Sequence, residues 1–315
     1  MAPATNGSMW VSDFRGDVLL LSPSGATTPV DITGGWAVTS DPSGDLYVDT
    51  YYSGVIYKVT PAGTVTTFAS GWVGLYGMAY GPDGDLYVST GSVIYKIAPG
   101  GSYSVFATGA GGDSFAFDSS GNLYSGSNNN IFKIAPNGSS SLFATVAGAT
   151  FLGLAISPFS HTLFASSANN GDLYSFSAGG AATPVLTTAQ LPGSTTVFAG
   201  IAFDPFGDLY LCDWGSSNLF KLAGADGTIA RPTNLTVTPG LGSLTANWSS
   251  TSGAGTFLCT LMYGYNAPSS FHEVVTTTSC AFYGLDPGTV YGISVAATID
   301  SVVVGPSVVA FAQPL

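Results

Sequence analysis

Asp41-Pro42-Ser43-Gly44-Asp45-Leu46-Tyr47 decides how this chain is read, because near-copies of it return at fixed spacing. They are Gly-Pro-Asp-Gly-Asp-Leu-Tyr at 81–87, Asp-Ser-Ser-Gly-Asn-Leu-Tyr at 118–124, Ser-Pro-Phe-Ser-His-Thr-Leu-Phe at 157–164 and Asp-Pro-Phe-Gly-Asp-Leu-Tyr at 204–210. A period of about 40 residues with Pro/Gly turns and short β-branched or aromatic runs is the mark of propeller blades. No window carries the 3.6-residue period of an amphipathic helix.

Working outward from the phrase, each repeat reads as four strands. The inner strand precedes it: Trp36-Ala37-Val38, Met78-Ala79-Tyr80, Phe115-Ala116-Phe117, Leu154-Ala155-Ile156 and Ile201-Ala202-Phe203. Blades crowd near a propeller axis, which favours a small Ala on one face there. A second strand follows in the Leu-Tyr-Val style, then a third carrying Ile56-Tyr57-Lys58, Ile94-Tyr95-Lys96, Ile131-Phe132-Lys133, Leu173-Tyr174-Ser175 or Leu219-Phe220-Lys221, then an outer strand. Met9-Trp10-Val11-Ser12-Asp13 adds a sixth second strand, so the expectation is an all-β chain with a six-bladed β-propeller over residues 1–230.

The Asp-Pro-x-Gly-Asp/Asn-Leu-Tyr phrase with its following Ile-Tyr-Lys strand resembles NHL-type and gluconolactonase-like six-bladed propellers. From Arg231 the pattern changes. Leu235-Thr-Val237, Leu244-Thr-Ala-Asn-Trp248 and Leu285-Asp-Pro287-Gly-Thr-Val-Tyr291 resemble a fibronectin type III domain over 231–315. That resemblance implies a β-sandwich with Trp248 in its core and Tyr291 in a tyrosine corner. With no Gly/Ser linker and Pro232 at the joint, the two modules are expected to hold a fixed orientation.

Of 315 residues only 8% are charged, against a usual ~25%, while 45% are hydrophobic. Six Lys+Arg against eighteen Asp+Glu give a net charge of −12, the wrong sign for tracking phosphates, so no nucleic acid partner is expected. No apolar run reaches the ~20 residues of a membrane-spanning helix, and no membrane insertion is expected. Met1-Ala-Pro-Ala-Thr-Asn-Gly-Ser has neither the basic nor the apolar part of a signal peptide. An extracellular, cell-surface or virion-surface setting then implies a trimmed form or a route other than secretion.

The lactonase-like resemblance implies an axial divalent ion held by a glutamate with Asn/Asp, and the lyase members imply histidines. Here Glu273 is the sole glutamate and lies in the C-terminal region, and His161 is the sole histidine before residue 231, at a turn position. No metal and no cofactor are therefore expected. Asp41, Asp45, Asp83, Asp85, Asp118, Asp204 and Asp208 belong to the turn phrase, where such side chains cap their own backbone. Asp13 and Asp213 alternate with Thr50, Thr90, Ser127 and Ser167, which points to a hairpin hydrogen bond. The repeated lysines are expected to lie outward with stems on apolar neighbours.

Loops joining the outer strand of one blade to the inner strand of the next converge on one mouth. They carry Trp72, Tyr76, Asp113, Thr150, Phe151, Gln190 and Phe198, of which Trp72, Tyr76, Asp113, Phe151 and Gln190 form the candidate ligand or partner set. Aromatic rings with a few polar groups suit sugar faces or apolar peptide side chains, while Tyr76, Phe151 and Phe198 read equally as plugs between blades. Trp72, between Gly71 and Val73, is the ring expected to be most exposed. Cys259 and Cys280 phase inward on facing strands, so they either bridge or remain buried thiols; Cys212 has no evident partner.

The leading expectation is a non-enzymatic structural or adhesive module of a cell surface, extracellular filament or virion appendage, packed in many copies against itself or surface proteins. The alternative is a glycan- or peptide-binding propeller, with a lactonase- or lyase-type enzyme behind it.

Overall fold

The computed structural model describes the chain apart from residues 5–7, 13–15, 23–25, 188–196, 205–206, 214–217, 223–224, 226–231, 251–255, 264–269, 300–301 and 304–307. It is all-β and divides into two compact units, one of Met1–Asp204 with Asp208–Leu222 and one of Ala223–Leu315 with Pro205–Gly207. The expected boundary at 230/231 falls outside the described residues.

The first unit is six antiparallel meanders. Blade one is Ala2–Pro3, Met9–Ser12, Val18–Leu21 and Thr27–Val30; blade two is Gly35–Ser40, Leu46–Thr50, Val55–Val59 and Val65–Ser70. Blade three is Met78–Tyr80, Leu86–Thr90, Val93–Ile97 and Tyr103–Thr108; blade four is Ser114–Phe117, Leu123–Ser127, Asn130–Ile134 and Ser140–Thr145. Blade five is Phe151–Ile156, Leu163–Ser167, Leu173–Phe176 and Ala182–Leu186; blade six has three described strands, Phe198–Phe203, Leu209–Asp213 and Asn218–Leu222. The inner strands touch in sequence, and Ala2–Pro3 of blade one touches Phe198–Phe203 of blade six, so the ring is closed. This is a β-propeller.

The repeated phrase builds the blade in three ways. Its first residue makes the turn: Asp41 Oδ1 accepts from the Ser43 and Asp45 N–H groups at 2.9 and 3.0 Å, and Asp118 Oδ1 from Ser120 and Asn122 at 3.0 and 2.9 Å. Its Leu is buried, and burying each such side chain contributes about 2 kcal/mol. Its Tyr packs edge-on against the Phe of its own outer strand: Tyr47 on Phe68, Tyr87 on Phe106 and Tyr124 on Phe143, with centroids 4.9–5.0 Å apart. Ala79, Ala116, Ala155 and Ala202 are buried in the inner strands, as axial crowding requires.

Neighbouring blades are also stitched at their outer turns. Gly138 and Gly180 adopt φ of +83° and +84°, and a Cβ on them would lie 2.2 Å from Phe106 O and 2.1 Å from Phe143 O, in the outer strand of the preceding blade. Only glycine fits both the turn and that approach.

The second unit is a two-sheet sandwich. Pro232–Gly240, Ser243–Ser250 and Ser279–Tyr283 form one sheet; Ser270–Val275, Thr256–Tyr263, Tyr291–Ile299 and the short Val302–Val303 run in that order in the other, with Val308–Ala312 also pairing with Tyr291–Ile299. Leu244, Ala246, Phe257, Leu261, Phe282, Ile293 and Val295 fill the space between them. Trp248 is buried edge-on against Phe257, and the Tyr291 hydroxyl accepts from the Asp286 N–H at 3.1 Å.

Candidate functional site

Two kinds of loop, outer-to-inner between blades and second-to-third within a blade, meet at one end of the propeller; the repeated Asp/Gly turns occupy the other. At the mouth end the inner strands carry a bulge. In blade five Phe151 pairs with Ser167 and Gly153 with Ser166, leaving Leu152 extra, and in blade six Phe198 pairs with Asp213 and Gly200 with Cys212, leaving Ala199 extra. Blade two breaks register in the same place, between Gly35 opposite Thr50 and Val38 opposite Val48. A bulge re-aims the side chain it carries.

This register corrects the alignment of the second repeat. Val38-Thr39-Ser40, not Trp36-Ala37-Val38, lies level with Met78-Ala79-Tyr80, since Thr39 pairs with Tyr47 as Ala79 pairs with Tyr87. Trp36 thereby moves to the rim, level with Tyr76, Asp113, Leu152 and Ala199. Among these described positions, those of blades two to four present a large ring or a charge.

The rings gather around Tyr51, in the second-to-third loop of blade two. Its centroid lies 5.7 Å from Trp36, 4.9 Å from Tyr52 and 5.3 Å from Tyr76, and its hydroxyl is 3.3 Å from that of Tyr76. Trp36 is 46% exposed and Tyr52 94%, large fractions for rings of this size. Asp113 stands beside them. A Cβ on Gly77 would meet Gly112 O at 2.8 Å and Asp113 C at 3.2 Å, so Tyr76-Gly77 runs directly against the Asp113 backbone. Half-buried, Asp113 has its carboxyl pushed up by that burial, and among the described residues its carboxylate has no hydrogen-bond or ion-pair partner.

Beneath Trp36 lies Asp49, fully buried. Its Oδ1 accepts from the Ala37 N–H at 2.8 Å and its Oδ2 has no partner. Burial pushes its carboxyl up to about 7, against the opposing pull of the Ala37 and Trp36 N–H groups. The same level of the other blades holds Ser12, Ser89, Gly126, Ser166 and Cys212. Ser12 donates to Trp36 O at 2.9 Å; Ser89 accepts from the Gly77 N–H at 2.9 Å and donates to Gly112 O at 2.6 Å. Asp49 thus stands where hydroxyls tie blade to blade.

Other expected residues lie elsewhere. Trp72 is not the exposed ring: it is half-buried on the flank of blade three, with its centroid 4.8 Å from Tyr95 and 4.4 Å from Tyr103, and its indole N–H is shielded and without a partner. Phe151 and Phe198 are fully buried and act as plugs. Gln190 and Asp13 lie outside the described residues. His161 is exposed in its turn at φ +54°, away from the mouth. Lys58, Lys96 and Lys133 are not free for an anionic ligand: they pair with Asp45 (2.6 Å), Asp83 and Asp85 (2.8 and 2.9 Å) and Asp118 (3.6 Å), each above the Tyr of its blade.

Among the described residues no three His, Cys, Asp or Glu side chains converge on a metal-sized space. The axial level that the lactonase resemblance would assign to a divalent ion offers one carboxylate, Asp49, tied to backbone N–H groups, among serines. That donor set does not fit a hard cation, which needs several converging oxygens. In the second unit Cys259 and Cys280 do come together, both buried, with their thiols in hydrogen-bond contact; that contact with Cys280, then burial, pushes the Cys259 thiol up.

No family model matches the chain, and no curated protein matches it. Solved structures do. A catalytically inactive virginiamycin B lyase from Staphylococcus aureus, solved with quinupristin, is 15% identical, covers 78% of this chain and 90% of its own, and superposes with a TM-score of 0.54. A gluconolactonase from Xanthomonas campestris is 15% identical over 70% of this chain and 83% of its own, with a TM-score of 0.59. Regucalcin from Agrobacterium tumefaciens, a calcium-binding protein, is 14% identical over 70% and 88%, at 0.56. The first unit has the lactonase and lyase propeller fold.

This finding corrects the expectation of a non-enzymatic module. The solved structures of like fold include a lyase and a gluconolactonase, and the shortage of Glu and His is no ground for setting catalysis aside, because the mouth end carries two other carboxyls, Asp49 and Asp113, both pushed up by burial. Asp49, Trp36, Tyr51 and Tyr52 escaped the sequence reading. The signal for them is the run Asp49-Thr50-Tyr51-Tyr52, where an acid replaces the small residues of other blades and two rings fill a hairpin loop.

Proposed function

We propose that the first unit is a saccharide-binding propeller working through the mouth over blades two to four. The observation that carries this reading is the ring cluster of Trp36, Tyr51, Tyr52 and Tyr76 beside Asp113, whose carboxylate has no partner among the described residues. Exposed rings supply a flat apolar surface for the C–H face of a pyranose, and the carboxylate and hydroxyls beside them accept and donate hydrogen bonds to its rim. Calorimetry with a panel of tetrasaccharides tests it: Trp36→Ala is expected to weaken binding about tenfold or more with an unchanged melting temperature. Unaltered affinity in that variant would remove the mouth from consideration.

A second reading, lactonase- or lyase-type turnover of the bound ligand, is supported by the raised carboxyls of Asp49 and Asp113, since acid–base groups work best near ambient pH. Product formation from lactone substrates that vanishes in Asp113→Asn would favour it. The weakly charged, Ser/Thr-rich composition supports an extracellular setting.

For the second unit we propose a fibronectin type III domain, supported by its sheet order and by the Tyr291 hydroxyl at the Asp286 N–H. Tyr291→Phe removes that acceptor and is expected to cost about 1 kcal/mol; an unchanged stability counts against a tyrosine corner. In an oxidising medium the Cys259 and Cys280 thiols are expected to bridge, adding about 3 kcal/mol. Mass spectrometry of an unreduced digest checks the link.

A further inference from the structure

Charge is distributed unevenly over the propeller. Lys58, Lys96 and Lys133 all lie toward the turn end, and each is held by one or more carboxylates. At the mouth, none of the described side chains around Asp113 is basic: its neighbours are Tyr76, the Gly112 and Ser114 backbone and, beyond them, Tyr51 and Trp36. The chain as a whole carries a net charge of −12. A half-buried anion with no counter-ion among the described residues, set beside Tyr76 and the ring cluster it belongs to, is an incomplete arrangement that a cation completes in two ways. It pairs with the carboxylate, and it lies against ring quadrupoles whose faces are negative. A neutral sugar completes only the ring contacts.

We propose that the mouth selects a saccharide bearing a free ammonium, a 2-amino-2-deoxyhexose of the glucosamine kind, with its ammonium at Asp113 and its ring against Trp36, Tyr51 and Tyr76. This rests on the saccharide-binding reading and narrows it. The chemistry excludes N-acetylated units from the same mode, because acetylation removes the charge and adds bulk at the nitrogen. It also excludes uronic acids, whose carboxylate would face Asp113 with no cation between.

Isothermal titration of the whole chain with the tetramers of glucosamine, N-acetylglucosamine and glucose tests the proposal. The glucosamine tetramer is expected to bind about tenfold or more tighter than the other two at low salt, and that margin is expected to shrink steeply at about 1 M salt, where the screening length falls to about 3 Å. Asp113→Asn, nearly isosteric, is expected to abolish the margin, bringing the glucosamine tetramer down to the level of the other two. Asp85→Asn removes one negative charge at the turn end and is expected to leave the margin in place, which separates a local carboxylate from net charge.

Equal affinity for the three tetramers overturns the cation preference and leaves the saccharide reading standing. A margin that survives Asp113→Asn overturns the assignment to this carboxylate. Failure of all three to bind removes the saccharide reading itself and the proposal with it.

Discussion

At the turn end of the propeller, Asp41, Asp83 and Asp118 are consumed by their surroundings: backbone N–H groups, a tyrosine hydroxyl and lysines fill their oxygens. At the mouth end, among the described residues, Asp49 keeps one oxygen without a partner and Asp113 keeps its whole carboxylate. The same residue type therefore titrates in opposite directions. Burial acts upward on all four shifted groups, yet at Asp83 it is outweighed by Lys96, Tyr87 and the Asp85 N–H, and at Asp118 by Asn122, the Ser120 N–H and Lys133, which leave both lowered. At Asp113 nothing opposes it, and at Asp49 the two N–H groups do not suffice. Abundance of acid marks the structural end here, and incompleteness of its pairing marks the end proposed to take a ligand.

The largest effect expected from this contrast is a pH dependence of stability. Asp49 moves from an ordinary carboxyl value when unfolded to about 7 when folded, so the folded state holds a proton that the unfolded state has lost. Its contribution is full below about pH 4 and is lost as pH rises through 7, a swing on the order of 4 kcal/mol. Asp83 and Asp118 have the reverse sign: their stabilisation is present above the unfolded value and is lost in acid, below the Asp49 window. Denaturant melts between pH 4 and 8 should show stability falling with pH in the wild type and a much shallower fall in Asp49→Asn, whose amide oxygen can still accept from Ala37 and in which the raised Asp113 remains. A wild type no steeper than the variant breaks the comparison.

A smaller effect separates two glycines of similar φ. Gly180, stitched to the blade behind it, has no room for a Cβ, while Gly148, in an outer-to-inner loop at the mouth, has nothing within 4 Å. Gly148→Ala is expected to cost about 1 kcal/mol for backbone strain alone, and Gly180→Ala about 3 kcal/mol, read as the difference in unfolding free energy. Equal costs would mean that the stitch yields easily.

Carboxylate replacement sharpens the contrast further. Asp118→Ala leaves two turn N–H groups without their acceptor and should cost about 1 kcal/mol while leaving any ligand affinity alone; Asp113→Asn should leave stability within about 0.5 kcal/mol. The weakest expected effect is at Lys58, whose partly exposed pair with Asp45 is worth less than about 1 kcal/mol, so Lys58→Met should be close to silent in thermal melts.

Much of the architecture was legible because one phrase carries turn, core and inter-strand packing together. Asp41 makes the turn, Leu46 the core and Tyr47 the ring contact, so their recurrence counts the blades directly. The mouth was harder to read for a physical reason. A bulge adds a residue without marking it, so Trp36 reads as an ordinary inner-strand position, and only the pairing of Thr39 with Tyr47 places it on the rim. Asp49 was hidden because its equivalents Ser12, Ser89, Gly126, Ser166 and Cys212 are small residues with no acid among them to mark the level. Trp72 misled in the other direction: flanking glycine suggests an open loop, but Tyr95 and Tyr103 of the next blade provide a slot that local sequence does not announce.

The stitches at Gly138 and Gly180 bear on how such a chain can change over generations. Each glycine answers to a backbone carbonyl in the preceding repeat, so no substitution inside its own repeat relieves a side chain placed there. The unit of inheritance that keeps its fit is therefore not one blade but a blade together with the outer strand before it. Duplication or loss of repeats is expected to keep closure only when the cut preserves that overlap, whereas the rim positions at 36, 76, 113, 152 and 199, which touch the mouth and not the stitch, are free to diversify one by one.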